Sequence, residues 1–257
     1  MTVAAPNPAK VAKLPDLRIL RGSHAEIADA EQAACAMELV SWLSDEPFSA
    51  APQCACPVIT RFVVNWNDSL PTDEDRARVL GPFLERIVGS RSTPAVEKRR
   101  SYMALDWSIR VSTPAWIDLA GLVDEAAALR ALPEIVNSKT ATASHKSLNA
   151  AKTKASAAGA AAWAAAWAAA WDAARDAAWA AAGAAAWDAA RDAAWDAARD
   201  AAWDAARDAA WDAAWAAAGA AARDAARDAL APTAAELQQS ANELLDAMIN
   251  VTEAPTA

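Results

Sequence analysis

From Gly159 to Asp228 the chain repeats one four-residue phrase without a slip: two alanines, then Trp, Arg or Gly, then Asp or Ala. Alanine has the highest helix propensity of any residue, and Asp and Arg interrupt it only mildly, so little other than helix is open to such a run. With its alanine-rich flanks it makes some 80 consecutive residues, which predict a rod about 120 Å long at 1.5 Å per residue. Nine of the chain's 13 tryptophans stand on that rod. An indole buries roughly 150–250 Å² when packed, several kcal/mol at about 25 cal/mol per Å², so a bare row of indoles predicts association.

The third position of the phrase forms a column. Trp163, Trp167, Trp171, Arg175 and Trp179 precede Gly183; Trp187, Arg191, Trp195, Arg199, Trp203, Arg207, Trp211 and Trp215 then lead to Gly219. Neighbours four apart share a helix face, so alternating rings and guanidiniums can make cation–π contacts of roughly 0.5–1 kcal/mol. Asp172 reaches Arg175 at i+3, and Asp188, Asp196 and Asp204 repeat the contact, which offsets repulsion within the Asp column. Four residues turn an ideal helix by about 400°, so the column circles the rod in roughly 36 residues. A period above 3.6 demands a right-handed supercoil, and the small alanines let backbones approach. Gly183 and Gly219 fall on the same side and mark close crossings; with alanines on both sides neither reads as a turn, so one continuous helix is expected rather than a hairpin. Trp, Arg and Gly codons can all end in GG, so the run can descend from a twelve-base unit by slippage. That origin bears on its length, not on the need to cover its rings.

Charge is unevenly spread. Residues 1–156 carry 18 bases and 18 acids, residues 157–230 carry 6 Arg against 11 Asp, and residues 231–257 add 4 acids and no base. Negative potential on the rod and tail argues against nucleic-acid binding, which recruits Lys and Arg. The N-terminus, with Pro6, Pro8, Lys10 and Lys13, lacks the apolar core of a signal peptide, which predicts a cytoplasmic protein. Cys35, Cys54 and Cys56 are too few for a disulfide framework and fit reduced thiols. The longest uncharged stretch of the rod, Ala155 to Trp171, falls short of a membrane span.

Along the chain, residues 1–22 read as a loose arm and residues 23–137 as an all-helical globular domain. Ser23 and Glu26 have capping-box spacing and predict a helix to about Ser44, burying Ile27, Ala30, Met37, Val40 and Leu43. Pro57 opens a second helix with the stripe Val58, Ile59, Phe62, Val63 and Trp66, broken from Asn67 to Pro71. Thr72 and Asp75 cap a third, with Val79, Leu80, Phe83, Leu84 and Ile87 inward and Gly89 near its end. Thr93–Pro94 opens a fourth through Tyr102, Leu105 and Ile109. Thr113–Pro114 opens a fifth with Trp116, Leu119 and Leu122, and the pattern runs on from Asp124 to Leu132. Residues 138–156 form a basic junction that begins the long helix, and residues 157–231 are the rod. Pro232 ends it, and residues 232–257 hold a second capping box, Thr233 to Glu236, and a short amphipathic helix with Leu237, Ala241, Leu244, Leu245, Met248 and Ile249 on one face. That helix can fold back on the rod or bind a neighbour. The fold class expected is all-α.

The stretches Cys56 to Thr60, Trp66 to Pro71 and Asp106 to Arg110, with Thr113 to Trp116 and Leu119 to Leu122, resemble a group of uncharacterised proteins of actinobacteria and their bacteriophages. Some of these carry a similar Ala-Ala-Trp-Asp or Ala-Ala-Arg-Asp tail of variable length. The resemblance covers roughly residues 54–230 and implies a bacterial or phage origin, with the host cytoplasm as the compartment if phage-encoded. It transfers no catalytic residue.

Chemistry is sparse. Cys54 and Cys56 form C-x-C rather than a zinc knuckle, and neither His24 nor His145 sits in a ligand motif, so no metal is expected. No Gly-rich phosphate loop occurs, and no cofactor is expected. Asp68, Asp106 and Arg110, beside Trp66 and Trp107, are the candidates for partner binding or for lining a pocket; elsewhere such residues cap and bridge helices. Lys98, Arg99 and Arg100 read as a solvated face. The expectation is a non-enzymatic scaffold or adaptor that forms a homo-oligomer through its repeat and presents the helical domain to a host or phage protein. Two alternatives stand beside it. One is an acidic inhibitor that mimics nucleic acid, and the other is a small-molecule-binding or enzymatic domain within residues 54–137.

Overall fold

The chain first settles into helix at Pro8–Val11 (α1), where Asn7 Oδ1 accepts the N–H of Ala9 at 3.0 Å. The computed structural model describes residues 4–24, 33–157 and 228–251. The expected loose arm is anchored instead. Asn7 N–H donates to Leu43 O at 2.8 Å, Lys10 Nζ pairs with Asp45 at 2.7 Å, and Leu17 and Ile19 are buried. Residues 4–22 have no helical period, yet Val11 and Leu14 pack against the core that Leu17 and Ile19 enter. Arg18–Ile19 (β1) pairs in parallel with Ala33–Ala34 (β2) over two residues each, a bridge in an otherwise helical fold.

The next helix, Ala36–Leu43 (α2), starts well after Ser23. Its start is set by Glu38, whose carboxylate accepts the N–H of Cys35 at 2.8 Å, three residues back. Cys35 therefore stands where Ser or Thr stands in an ordinary capping box. Glu26, Ile27 and Ala30 lie outside the described residues. Every residue of α2 except Trp42 is buried.

Pro57–Ser69 (α3) opens at Pro57 and buries Ile59, Val63 and Trp66. It runs through Asn67 and Asp68 rather than breaking there. Asn67 is tolerated in the helix because its side chain is committed to other segments: Nδ2 donates to Leu20 O at 2.9 Å, and Oδ1 accepts from Ala36 N–H at 3.4 Å. Asp73–Ile87 (α4) is capped by Thr72, whose hydroxyl accepts Asp75 N–H at 3.0 Å, and buries Val79, Leu80, Phe83, Leu84 and Ile87 as its spacing requires. Gly89, at φ 76°, takes the left-handed conformation that ends it.

Pro94–Trp107 (α5) opens at Thr93 as expected but buries a different face. Val96 and Arg100 are buried and Met103, Ala104 and Trp107 pack on the core, whereas Leu105 is 37% exposed. The stripe was out of phase because a buried arginine counts as polar in any hydrophobic pattern. A helix opens at Thr113 as expected, but without a break before it. A π turn, Ser108–Ser112, joins α5 directly to Thr113–Leu119 (α6). Pro114 has no N–H to donate and its ring crowds the turn before it, and a widened turn accommodates both. Trp116 and Leu119, expected inside, are 42% and 48% exposed. Val123–Arg130 (α7) follows, burying Ala126 and Leu129.

Residues 138–157 (α8) and 228–250 (α9) are helical to the edges of the described chain. Pro232 does not end the helix; α9 passes through it, so Thr233 caps nothing. The lost hydrogen bond and ring clash cost about 3 kcal/mol, which the buried face beyond Pro232 outweighs. The Trp/Arg column from Trp163 to Gly219 lies outside the described residues. Among the described residues no helix is long and apolar enough to cross a membrane.

The chain divides into two units. One comprises Ile117–Val123 and Asn149–Ala234; its described parts are the end of α6, the turn after it and the adjoining ends of α8 and α9. The other is drawn from three stretches, Met1–Trp116, Asp124–Leu148 and Ala235–Ala257. Its core gathers α2, α3 and α4 together with Ala241, Leu245 and Met248 of α9. The C-terminal helix, expected on the rod or on a neighbour, is part of this core. Phe62 meets Trp66 and Trp107 edge-on at 5.6 and 5.8 Å, and Trp107 Nε1 donates to Ser240 Oγ at 2.8 Å, tying α3, α5 and α9 together.

Candidate functional site

The densest buried polar chemistry surrounds the N-terminus of α2. Glu38 is 1% exposed, and three donors converge on its carboxylate: His24 N–H at 2.6 Å, His24 Nδ1 at 2.9 Å and Cys35 N–H at 2.8 Å. With the carboxylate ionised, the His24 ring must carry its proton on Nδ1. Burial works to raise the pKa of Glu38, but the bonds from His24 and Cys35 outweigh it and hold the carboxyl below its ordinary value of 4.5. The Cys35 thiol is pushed the other way, up to about 12, by burial above all and by the charge of Glu38. A thiol so placed stays protonated at neutral pH and is no nucleophile.

Behind this pair Asn67 and Asp68 close the site from α3. Asp68 Oδ1 accepts the N–H of Gly22 at 2.9 Å and Asn67 Nδ2 at 3.1 Å. The Gly22 bond first, then Asn67 and the charges of Arg21 and Arg76, hold Asp68 below the usual carboxylate range. A cavity of about 110 Å³ lies here, walled by Ala36, Met37, Ala50 and Val64 and edged by Ser23, Cys35, Asn67 and Asp68. Beyond it Arg76, 3% exposed, donates Nε to Asn67 O at 2.8 Å and Nη2 to Leu70 O at 2.6 Å, closing the end of α3 onto α4. A second groove, about 270 Å³, is lined by apolar groups such as Leu14, Ile19, Leu39 and Pro82 and offers little to orient a ligand.

Of the candidates read from the sequence, Asp68 belongs to this site. Asp106 and Arg110 do not. Arg110 Nη1 pairs with both oxygens of Asp106 at 3.1 and 3.2 Å across the π turn, and Asp106 Oδ1 accepts Ile135 N–H at 2.8 Å, a bridge that seats the segment after α7. Cys54 and Cys56 are buried thiols, and among the described residues no group of three His, Cys, Asp or Glu could hold a metal. Arg100, expected on a solvated face with Lys98 and Arg99, is 3% exposed and binds the carbonyls that end α9. Glu38 and His24 were missed because they stand 14 residues apart in a stretch whose pattern predicts one helix, which would part them by about 21 Å. The spacing Cys35-x-x-Glu38 is that of a capping box, and reading Cys as a stand-in for Ser locates it.

No family model matches this chain, and no curated protein or solved structure gives a match to it.

Replacing Glu38 with Gln is expected to destabilise the domain by about 2–3 kcal/mol at pH 7, because an amide offers one acceptor oxygen where three donors converge. The sign with pH follows from the depressed pKa. The stabilisation from Glu38 is present above its ordinary value of 4.5 and is lost as pH falls through the lower value of the folded state. Urea midpoints from pH 3 to 7 should therefore fall with acid in the parent and fall less in Glu38→Gln; parallel curves for the two proteins would count against the assignment.

Proposed function

We propose that this protein is a non-enzymatic assembly protein: a helical domain that carries the Ala/Trp array as an insertion and associates through the Trp/Arg columns of that array. The observation that carries this reading is the insertion itself. Leu148 and Ala235 both belong to the first unit, and the longer stretch of the second, Asn149–Ala234 with the array, lies between them in the chain.

Identical chains present identical complementary columns, which is why self-association is the simplest cover for the indoles. The net acidity of the array favours, as a second reading, docking in the basic groove of another protein, and the two respond oppositely to salt. Charge pairing weakens steeply with ionic strength and indole packing does not.

The experiment compares the mass in solution of the full chain with that of a variant whose residues 158–227 are replaced by a Gly/Ser linker. The full chain is expected to be at least a dimer in both low and high salt, and the linker variant a folded monomer. Equal, monomeric masses for the two proteins would overturn association between chains. Indole emission of the full chain then reads the cover itself: a maximum typical of fully wetted tryptophan would overturn packing of the indoles.

A further inference from the structure

We propose that the cavity at the N-terminus of α2 is a binding site for a small primary ammonium compound, with Asp68 as the anionic anchor. The reading is independent of how the array associates. The walls, Ala36, Met37, Ala50 and Val64, are apolar, and the volume of about 110 Å³ admits a molecule of a few heavy atoms rather than a metabolite of ordinary size.

The polar edge decides the chemical class. Asn67 is fully engaged, its amide nitrogen on Leu20 O and Asp68 and its oxygen on Ala36 N–H. Cys35 keeps its proton and can offer only a weak S–H bond. Asp68 is different. Its Oδ1 is tethered by Gly22 and Asn67, and among the described residues no donor is bonded to Oδ2. The tether fixes the carboxylate at the rim of the cavity and leaves one oxygen for a donor. Ser23, on the same rim, supplies a hydroxyl oxygen as a second acceptor. An anion would face Asp68 and the buried Glu38 behind Cys35, and a neutral alcohol would bring a single donor and no charge to Asp68. An alkylammonium head has three donors for these acceptors, and a one- or two-carbon tail suits the wall of Met37 and Val64. Arg21 and Arg76 lie near enough to favour the charge of Asp68, but Arg76 is already bound to Asn67, Leu70 and Asp73.

The test uses the full chain and ethylammonium chloride, followed by the amide resonances of Gly22 and Ser23. Saturable shifts are expected, with a Kd on the order of 1 mM for so small a ligand. Sodium chloride at equal ionic strength and ethanol at equal concentration are expected to leave those resonances in place. Asp68→Asn keeps an oxygen for Gly22 N–H while removing the charge, and should weaken binding roughly tenfold or more. Ala50→Leu fills the cavity and leaves Asp68 untouched, and should abolish binding in a protein whose other resonances are unchanged. Shifts that rise linearly without saturating, that sodium reproduces, or that survive both substitutions overturn the proposal.

Discussion

Arg100→Met is expected to lower the stability of the domain by about 3–5 kcal/mol, because it leaves several carbonyls without their donor at about 1–3 kcal/mol each. Against total stabilities of about 5–15 kcal/mol that is a large share. The guanidinium is 3% exposed, and its Nε donates to Met248 O at 2.7 Å, Nη1 to Ser90 O at 2.5 Å, and Nη2 to Ile249 O at 3.4 Å and Val251 O at 3.5 Å. The last carbonyls of a helix have no partner within it, and they carry the negative end of its dipole. Arg100 meets both needs at the end of α9 and, through Ser90, holds the segment after α4 to the same point. Methionine fills the space and supplies no donor. Lysine keeps the charge but has one nitrogen where three are used in a plane, so Arg100→Lys should recover only part of the loss. Urea denaturation of the three proteins checks both steps, and a Met variant within 1 kcal/mol of the parent would remove Arg100 from its role.

Ending the chain after Ala234 is expected to abolish cooperative folding altogether. Leu245 and Met248 are fully buried, Ala241 is 3% exposed, and Leu244 and Ile249 pack on the same core. Each large side chain of this kind costs about 2–5 kcal/mol when cut to alanine, so losing the whole face exceeds what a domain of this size has in reserve. The truncation also strands Arg100 without its carbonyls and removes Asp246, which Arg86 binds at 2.6 Å. Circular dichroism and urea titration should show partial helix with no sharp transition. A synthetic peptide of residues 228–251 added in trans is expected to restore the transition, because the missing contacts all belong to that one helix. A truncated chain that unfolds as sharply as the parent would mean that α9 only decorates a core complete without it.

The two outcomes concern features at opposite ends of legibility. The apolar face of α9 is plain in the sequence, since Leu237, Ala241, Leu245 and Met248 recur at helical spacing; its destination is not. The buried arginine is invisible, because its partners on α9 stand 148 residues or more away and a hydrophobic pattern counts it as surface. Arg76 and Glu38 are counted as surface in the same way, although their partners are nearer in the chain. Pro232 misleads for a related reason: its local cost is real, and only the tertiary burial beyond it decides that the helix continues. Within the candidate site, Asp68 was legible as a polar residue beside an indole, whereas its tether to Gly22 and the pairing of His24 with Glu38 were not.

By itself the sequence determined the all-helical class, the starts of α3, α4 and α5, the end of α4 at Gly89 and the inward stripes of α3 and α4. Caps and stripes are settled among residues a turn or two apart, so a local reading suffices for them. The tertiary structure alone decided that residues 4–22 join the core, that α5 turns Arg100 inward, and that the C-terminal helix closes the domain that the N-terminal residues begin. Those outcomes depend on burying charges and apolar faces against groups far away in the chain, and a burial of that kind becomes favourable only once every partner has arrived.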